Sequence, residues 1–397
     1  MTEARTTRLV HPLLPRDPSE AHRVASPLEL FTDLCFVVAI SQAAASFHQH
    51  ITQGHEARGL LGFAMVFFAI FWAWLNFSWF ASAYDNDDVA YRLLTLLHVL
   101  GSLVLAAGIP GMVNGDFALG VLGYVIMRTS LVVQWLRVAH DDPPRRTTAR
   151  RYATGISVVQ LAWIGFIFLP HAVTVPLFAV GVIVELAVPV WAERAGMTPW
   201  HPHHIAERYA LFFIIVLGET VLSTTVAIQQ ALTAHDLRAG LVFVIAGGVL
   251  IVFSMWWLYF FRESGAALAR VHDQYNHSTY LWGYGHYVIF ASGAAIGAGL
   301  AARVDVWRHD SASSHLQTAA AVTVPVAVLL ASIWKICVHL YDQSARTATA
   351  YAVAVVLVLC STVTPVPELI AGAVCAGLLA VELLSHSGVT SLEPQDM

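Results

Sequence analysis

Two carboxylates, Glu29 and Asp33, stand four residues apart in an otherwise apolar stretch. On a helix that spacing stacks them on one face. Carboxylates that close repel when both are ionised. One tends to hold a proton unless an arginine or a metal ion joins them. Glu219 lies deep in another apolar run, and Arg128, Glu185, His98 and His286 are embedded in the same way. A charge at mid-bilayer costs at least ~2.5–3.5 kcal/mol on insertion scales, so such residues face a cavity or a partner. Each has a plainer role open to it. Glu29 and Glu207 can complement a helix dipole, Arg128 can snorkel, and His98 can simply pack. Taken together, with both signs present, they point to a buried network of Glu, Asp, His and Arg.

Three polar clusters flank the apolar runs. Asp85-Asn86-Asp87-Asp88 follows the aromatic segment that holds Trp72, Trp74 and Trp79. His201-Pro202-His203-His204 precedes a run that opens with Glu207 and Arg208. His204 and Glu207, three apart, share a side if the helix has begun. His272, Asp273 and His277 form the third set. Asp and His suit a divalent cation such as magnesium. No spacing matches a defined zinc site, so metal binding at His201 and His204 is a weak signal. The plainer readings are a solvated loop for the acidic cluster and a turn for the histidines.

The elements that must position these groups follow from composition. Hydrophobic residues make up 57% of the 397-residue chain and charged residues 12%, against about 25% charged in soluble domains. The excess comes in blocks long enough to cross a bilayer. This excludes a soluble protein and predicts an all-α, polytopic membrane fold of about twelve spans. We read them near 28–48, 59–83, 92–113, 117–138, 152–169, 173–191, 206–229, 239–261, 279–301, 318–341, 347–364 and 366–385. Thr364-Pro365-Val366-Pro367 leaves the last two little room for a loop. Cys35, Cys337, Cys360 and Cys375 sit singly in apolar runs and read as packing residues. No cleavable signal precedes the first span, which is expected to be retained.

Of the 21 basic residues, fifteen arginines fall in segments that are cytoplasmic if the N-terminus is inside. Four (Arg58, Arg238, Arg303 and Arg308) fall outside, and Arg128 and Lys335 lie within spans. The bias predicts cytoplasmic N- and C-termini in the inner membrane, with Pro143-Pro144-Arg145-Arg146 as the clearest inner anchor. The bilayer is the expected partner, with no nucleic acid.

The halves resemble each other. Span one opens with Glu29 and span seven with Glu207. Phe71–Phe77 in span two matches Ser254–Phe260 in span eight, and His98 in span three matches His286 in span nine. The offset drifts from 178 (29 to 207) to 188 (98 to 286), as loop-length changes would produce. This predicts a cytoplasmic arm over 1–26, six-helix halves over 27–200 and 201–387, and a tail over 388–397. A pseudo-two-fold axis along the membrane normal would relate the halves, with a site between them. Shared Trp- and Gly-rich composition is the simpler source of the likeness.

At these residues the chain resembles the low temperature requirement protein A family of bacterial membrane proteins. The carriers are Glu29-Leu-Phe-Thr-Asp-Leu-Cys-Phe-Val-Val-Ala-Ile40, Tyr84–Asp88 with Tyr91-Arg92, and the block from His201 to Thr220. Trp256–Phe260 and Tyr284-Gly-His286 follow. Thr32, His203 and Thr220 depart from the family pattern. The resemblance implies an architecture and a link to growth in the cold, and no mechanism.

Two functions compete. Asp85-Asn-Asp-Asp88 has the form D-x-D-D, which resembles the acid motif of class II terpene cyclases. Such chemistry needs a protonated Asp in a dry aromatic pocket. On that reading Asp87 donates the proton and Asp85 and Asp88 tune it. Trp72, Trp74, Trp79, Trp256, Trp257 and Tyr259 line the pocket, and Arg92, Arg128 and Arg208 hold a diphosphate. The substrate is then an isoprenoid or similar hydrophobic small molecule. The alternative is a proton- or cation-coupled transporter or channel, with Glu29, Asp33 and Glu219 as carriers and His98 and His286 as relays. A structural or signalling role is the third. The sequence narrowly favours the enzyme, because polar groups of both signs gather toward one face beside an aromatic wall.

Overall fold

The computed structural model describes residues 10–17, 20, 23–233, 239–262, 265, 268, 277–308 and 310–390. Among the described residues, twelve long helices follow one another: α1 (Pro27–Thr52), α2 (Glu56–Tyr84), α3 (Val89–Val113), α4 (Ala118–Asp141), α5 (Arg146–Phe166), α6 (Thr174–Glu193), α7 (Pro202–Thr233), α8 (Ala239–Phe260), α9 (His277–Arg308), α10 (His315–Ile333), α11 (Ala345–Ser361) and α12 (Pro367–Thr390). Among the described residues there is no strand, and ten helical segments are long and apolar enough to cross a membrane. The chain is a polytopic α-helical membrane protein.

Local chemistry sets the helix starts. Ser26 and Glu29 cap α1 reciprocally: Ser26 N–H donates to Glu29 Oε2 at 2.8 Å, and Glu29 N–H to Ser26 Oγ at 3.3 Å. Asp88 caps α3 through Tyr91 N–H at 2.6 Å. Pro202 supplies a preset φ in the first turn of α7, and Ser314 and Ser344 cap α10 and α11. Residues 362–366 suffice to join α11 to α12, so the short Thr-Pro-Val-Pro link does fit between two helices.

Individual helices carry the pattern expected in lipid. On α3, Leu93, Leu96, Leu100 and Leu103 are exposed, while Tyr91, Thr95, His98 and Ser102 are buried. The apolar stripe faces outward and the polar one inward, which is stable only where hydrocarbon replaces water.

The helices sort into two units. The first holds the described residues up to Gln42 with Met65–Arg208. Here α3 packs on α4, α4 on α5 and α5 on α6, and α2 meets α6 through Phe68–Phe178 and Trp72–Glu185. The α3–α4 approach depends on glycine. A Cβ at Gly101 or Gly123 would strike the facing backbone at Gly123 O or Leu105 N, the small-residue packing common between membrane helices. The second unit holds Ala43–Ala64 and residues from Tyr209 onward. There α9 packs on α10, α10 on α11, α11 on α12 and α8 on α12. A π-turn, Trp334–Val338, prolongs α10.

One sequence assignment is corrected. Arg303 was placed outside the ninth span, but α9 continues to Arg308 and Arg303 is fully buried. Its guanidinium uses every nitrogen. Nε donates to Glu368 Oε2 at 3.2 Å, Nη1 to His315 O and Thr318 Oγ1 at 3.3 Å each, and Nη2 meets His315 Nε2 at 2.9 Å. The span was read short because an arginine in an apolar run resembles its end. Its partner, Glu368, lies 65 residues further on.

Candidate functional site

In the first unit, α1 and α7 bring together Glu29, Asp33, His204 and Arg208. The carboxylates are one turn apart on α1, and the nitrogen groups are one turn apart on α7. They meet rung by rung. His204 Nε2 lies 3.2 Å from Glu29 Oε1 and 3.3 Å from Oε2. Arg208 Nη2 donates to Asp33 Oδ1 at 2.7 Å and to Ser78 Oγ of α2 at 3.1 Å. Trp74 Nε1 donates to the same Oδ1 at 2.8 Å. All four residues are essentially excluded from solvent. Asp33 Oδ2 has no hydrogen-bond partner, nor have Arg208 Nε and Nη1. The ladder is therefore clamped on one side and unsatisfied on the other. Glu29 both caps its helix and holds His204.

The Glu29 end of this ladder is flanked by the N-terminal arm and the α2–α3 turn. Arg23 is buried and donates from Nη2 to Ala81 O at 2.7 Å. Tyr91 lies within electrostatic reach of Asp85, Glu29, Arg208 and Arg23, and its hydroxyl is unpaired. Burial, reinforced by Glu29, pushes the Asp85 carboxyl up to about 6. His201 stands at the start of α7. Its Nε2 meets Glu20 O at 2.8 Å and its Nδ1 accepts from His204 N–H at 3.2 Å. Burial lowers its pKa, so it is neutral near pH 7.

The D-x-D-D segment separates into three environments. Asp85 is buried and accepts from Asp87 N–H at 3.1 Å. Asp87 takes a left-handed backbone, φ 52°, and points outward to Arg92. That pair is 2.6 Å apart with both side chains 58% exposed. Asp88 caps α3. Burial favours its neutral form, but the Tyr91 and His11 amides and Arg137, 2.6 Å away, outweigh this and hold its pKa low.

A second charged centre in the same unit joins Arg128 of α4 to Glu185 of α6 at 2.8 Å. Glu185 also accepts from Trp72 Nε1 at 2.8 Å, Tyr124 OH at 2.9 Å and Trp163 Nε1 at 3.1 Å. Arg128 thus does not snorkel. Its guanidinium is held by Glu185 and by the Tyr124 ring, 4.8 Å away. His98 packs by its ring, 4.9 Å from Phe77 and 6.0 Å from Phe36. Trp79 meets Trp200 at 4.8 Å. Glu207, half-buried on α7, bonds to the Ala25 backbone.

The other named residues belong to the second unit. Glu219 is buried and accepts from Ser223 Oγ at 2.7 Å. His286 meets Tyr259 OH at 3.1 Å and Trp282 O at 2.7 Å, ringed by Tyr209 and Phe290. Trp256 and Trp257 are half-exposed and line an apolar groove of about 450 Å³ with Ile214, Val221 and Phe253. The side chains of His272, Asp273 and His277 lie outside the described residues. Among the described residues no three His, Cys, Asp or Glu side chains gather as a metal ion needs. His201 Nε2 and His204 Nε2 are turned to Glu20 O and Glu29, His201 Nδ1 accepts from His204 N–H, and His204 Nδ1 has no partner. Ser78, Tyr91 and Tyr124 were not read from the sequence as contributors, since single hydroxyls in apolar runs carry no spacing signal.

A sequence model described as Bacterial low temperature requirement A protein (LtrA) matches residues 24–383. The chain belongs to the LtrA family. The match spans every rung of the ladder, the D-x-D-D segment and the Arg128–Glu185 pair. A curated relative from Rhizobium meliloti (strain 1021), itself described as uncharacterized, is 30% identical over 275 residues, covering 66% of this chain. The alignment spans 65% of that relative's length. No solved structure matches.

Proposed function

We propose that this LtrA-family protein is a proton-coupled membrane transporter whose coupling centre is the Glu29–His204 and Asp33–Arg208 ladder. The observation that carries the reading is Asp33. Its Oδ1 takes Trp74 and Arg208, while Oδ2 is buried with no partner. A proton arriving on Oδ2 removes the charge that holds Arg208 to α1. Glu29, one turn nearer the Arg23–Asp85 end, relays that proton, and His204 steadies it in the charged state. The α1–α7 clamp then has two settings, tight when Asp33 is ionised and loose when it is protonated. The arginine bias supports an inner-membrane placement with both termini cytoplasmic, so that end faces the cytoplasm. The correspondence of Glu29, Phe71–Phe77 and His98 with Glu207, Ser254–Phe260 and His286 supports descent from a duplicated six-helix half.

The test is proton flux into liposomes carrying the purified chain and a trapped pH dye. Wild type is expected to acidify the lumen under an imposed gradient. Asp33→Asn and Glu29→Gln are expected to slow it by roughly tenfold or more, the scale of a lost proton-transfer group. Flux at the wild-type rate in both variants would defeat the proposal.

Acid-initiated cyclisation of an isoprenoid is supported by one observation, the burial of Asp85 beside the aromatic end of α2. Asp87, the donor on that reading, is solvent-exposed and ion-paired with Arg92, not set in a dry aromatic pocket. A new cyclised lipid made from farnesyl or geranylgeranyl diphosphate by wild type, and absent with Asp85→Asn, would restore that reading.

A further inference from the structure

We propose that the first unit binds an oxyanion group, carboxylate or phosphate, between Arg23, Arg208 and Tyr91, and that this anion is the cargo of the proton-coupled centre. The cargo role rests on the transport reading; the binding site does not. Arg208 is fully buried and spends only Nη2, on Asp33 and Ser78. Arg23, 7% exposed, spends only Nη2, on Ala81 O. Nε and Nη1 of both guanidiniums, the Tyr91 hydroxyl and the Thr95 hydroxyl have no partner. Against these donors stand two unpaired carboxylate oxygens, Asp33 Oδ2 and Glu29 Oε1, the latter already 3.2 Å from His204.

Buried donors left without a partner are destabilising, and more so when charged. A fold keeps such a deficit where a ligand supplies the acceptors. The missing partner is acceptor-rich, and a guanidinium edge fits a planar carboxylate or a phosphate in bidentate fashion. The groups are neighbours: Arg23 and Arg208 each lie within electrostatic reach of Tyr91 and of His204. Arg303 shows the contrast, because there the fold satisfies every guanidinium nitrogen from within. Arg128 also has unpaired nitrogens, but no second guanidinium accompanies it.

Charge then couples the anion to protons. Two arginines face Glu29, Asp33 and Asp85, so a further negative charge enters only as a carboxylate is neutralised. Asp85, beside Glu29 of the ladder, is placed to take such a proton in addition to Asp33. It is faced by Arg16 and Arg23 of the N-terminal arm, by Glu29 of α1, and by Tyr91 of α3. Arg208 and His204 of α7 stand beyond Tyr91 and Glu29, and neutral His201 lies next to Arg23. Burial and Glu29 favour the protonated form of Asp85.

The full-length chain in nanodiscs provides the test. In zwitterionic nanodiscs the probes are acetate, succinate, phosphate and sulfate, at pH about 5.5 and about 7.5, read by thermal midpoint. In phosphatidylglycerol nanodiscs no anion is added. A rise with a soluble anion identifies a free oxyanion; a rise with phosphatidylglycerol alone identifies a lipid head. Either supports the site, with tighter binding expected at the lower pH and no pH dependence in Asp85→Asn. Arg208→Lys and Tyr91→Phe are expected to weaken binding roughly tenfold, about 1.4 kcal/mol. If Arg208→Lys fails to fold, Tyr91→Phe decides. No midpoint rise with any of the probes, or unchanged affinity in Tyr91→Phe, overturns the site. Proton flux persisting without any anion response rejects the site and leaves transport standing; anion binding without flux does the reverse.

Discussion

The first unit contains two buried carboxylate–arginine pairs with opposite finish. Glu185 receives four donors, two on each oxygen, from Trp72, Tyr124, Arg128 and Trp163. Asp33 receives two, both on one oxygen, and its other oxygen is unmet. Both pairs are equally dry, and both would be flagged by a charge inside an apolar helix. Burial therefore does not separate scaffold from function. Saturation does: a carboxylate with every lone pair engaged has nowhere to take a proton, and one with a free oxygen has.

The contrast can be broken most forcefully at Glu185. Glu185→Ala leaves Arg128 buried with no counter-charge, a loss of about 3–5 kcal/mol. The expected outcome is a collapse of the folded fraction in a detergent thermal melt. Asp33→Asn should cost less, about 1–2 kcal/mol, because Glu29 still lies within electrostatic reach of Arg208. A chain that tolerates Glu185→Ala and melts with Asp33→Asn would invert the assignment of scaffold and site.

A pH-dependent effect belongs to Asp85. Its folded-state pKa, about 6, lies above the ordinary 3.8, so its protonated form is the one the fold favours. That stabilisation is complete below pH 3.8, is lost as pH rises through about 6, and changes no further above. Its size is on the order of 3 kcal/mol. Melts across this window should show the decline in wild type and its loss in Asp85→Asn. The smallest effect is at Asp87. Its pair with Arg92 is exposed and screened by solvent, and asparagine tolerates the left-handed backbone. Asp87→Asn should leave stability and flux nearly unchanged, and a large loss of either would return weight to the acid motif.

Much of this was legible in the chain because its signals are local. The twelve helices follow from apolar length, although ten of the described segments are long and apolar enough to cross a membrane, and the shared face of Glu29 and Asp33 follows from a spacing of four. The pairings were not legible. Asp33 and Arg208 are 175 residues apart, and Glu185 and Arg128 57 apart; no periodicity links them. Arg303 was misplaced for the same reason. The D-x-D-D form misled differently. Four adjacent residues look like one motif, but a left-handed turn at Asp87 sends its side chain outward while Asp85 goes inward. Sequence proximity cannot show that divergence.

The most direct test is infrared difference spectroscopy of the protein in nanodiscs on acidification, with wild type, Asp33→Asn and Glu185→Gln compared. A protonated-carboxyl band, beyond the one Asp85 contributes, that appears in wild type and Glu185→Gln and is missing in Asp33→Asn is the result expected. A band that survives Asp33→Asn but vanishes in Glu185→Gln would contradict the account, because the saturated carboxylate would then be the one that takes the proton.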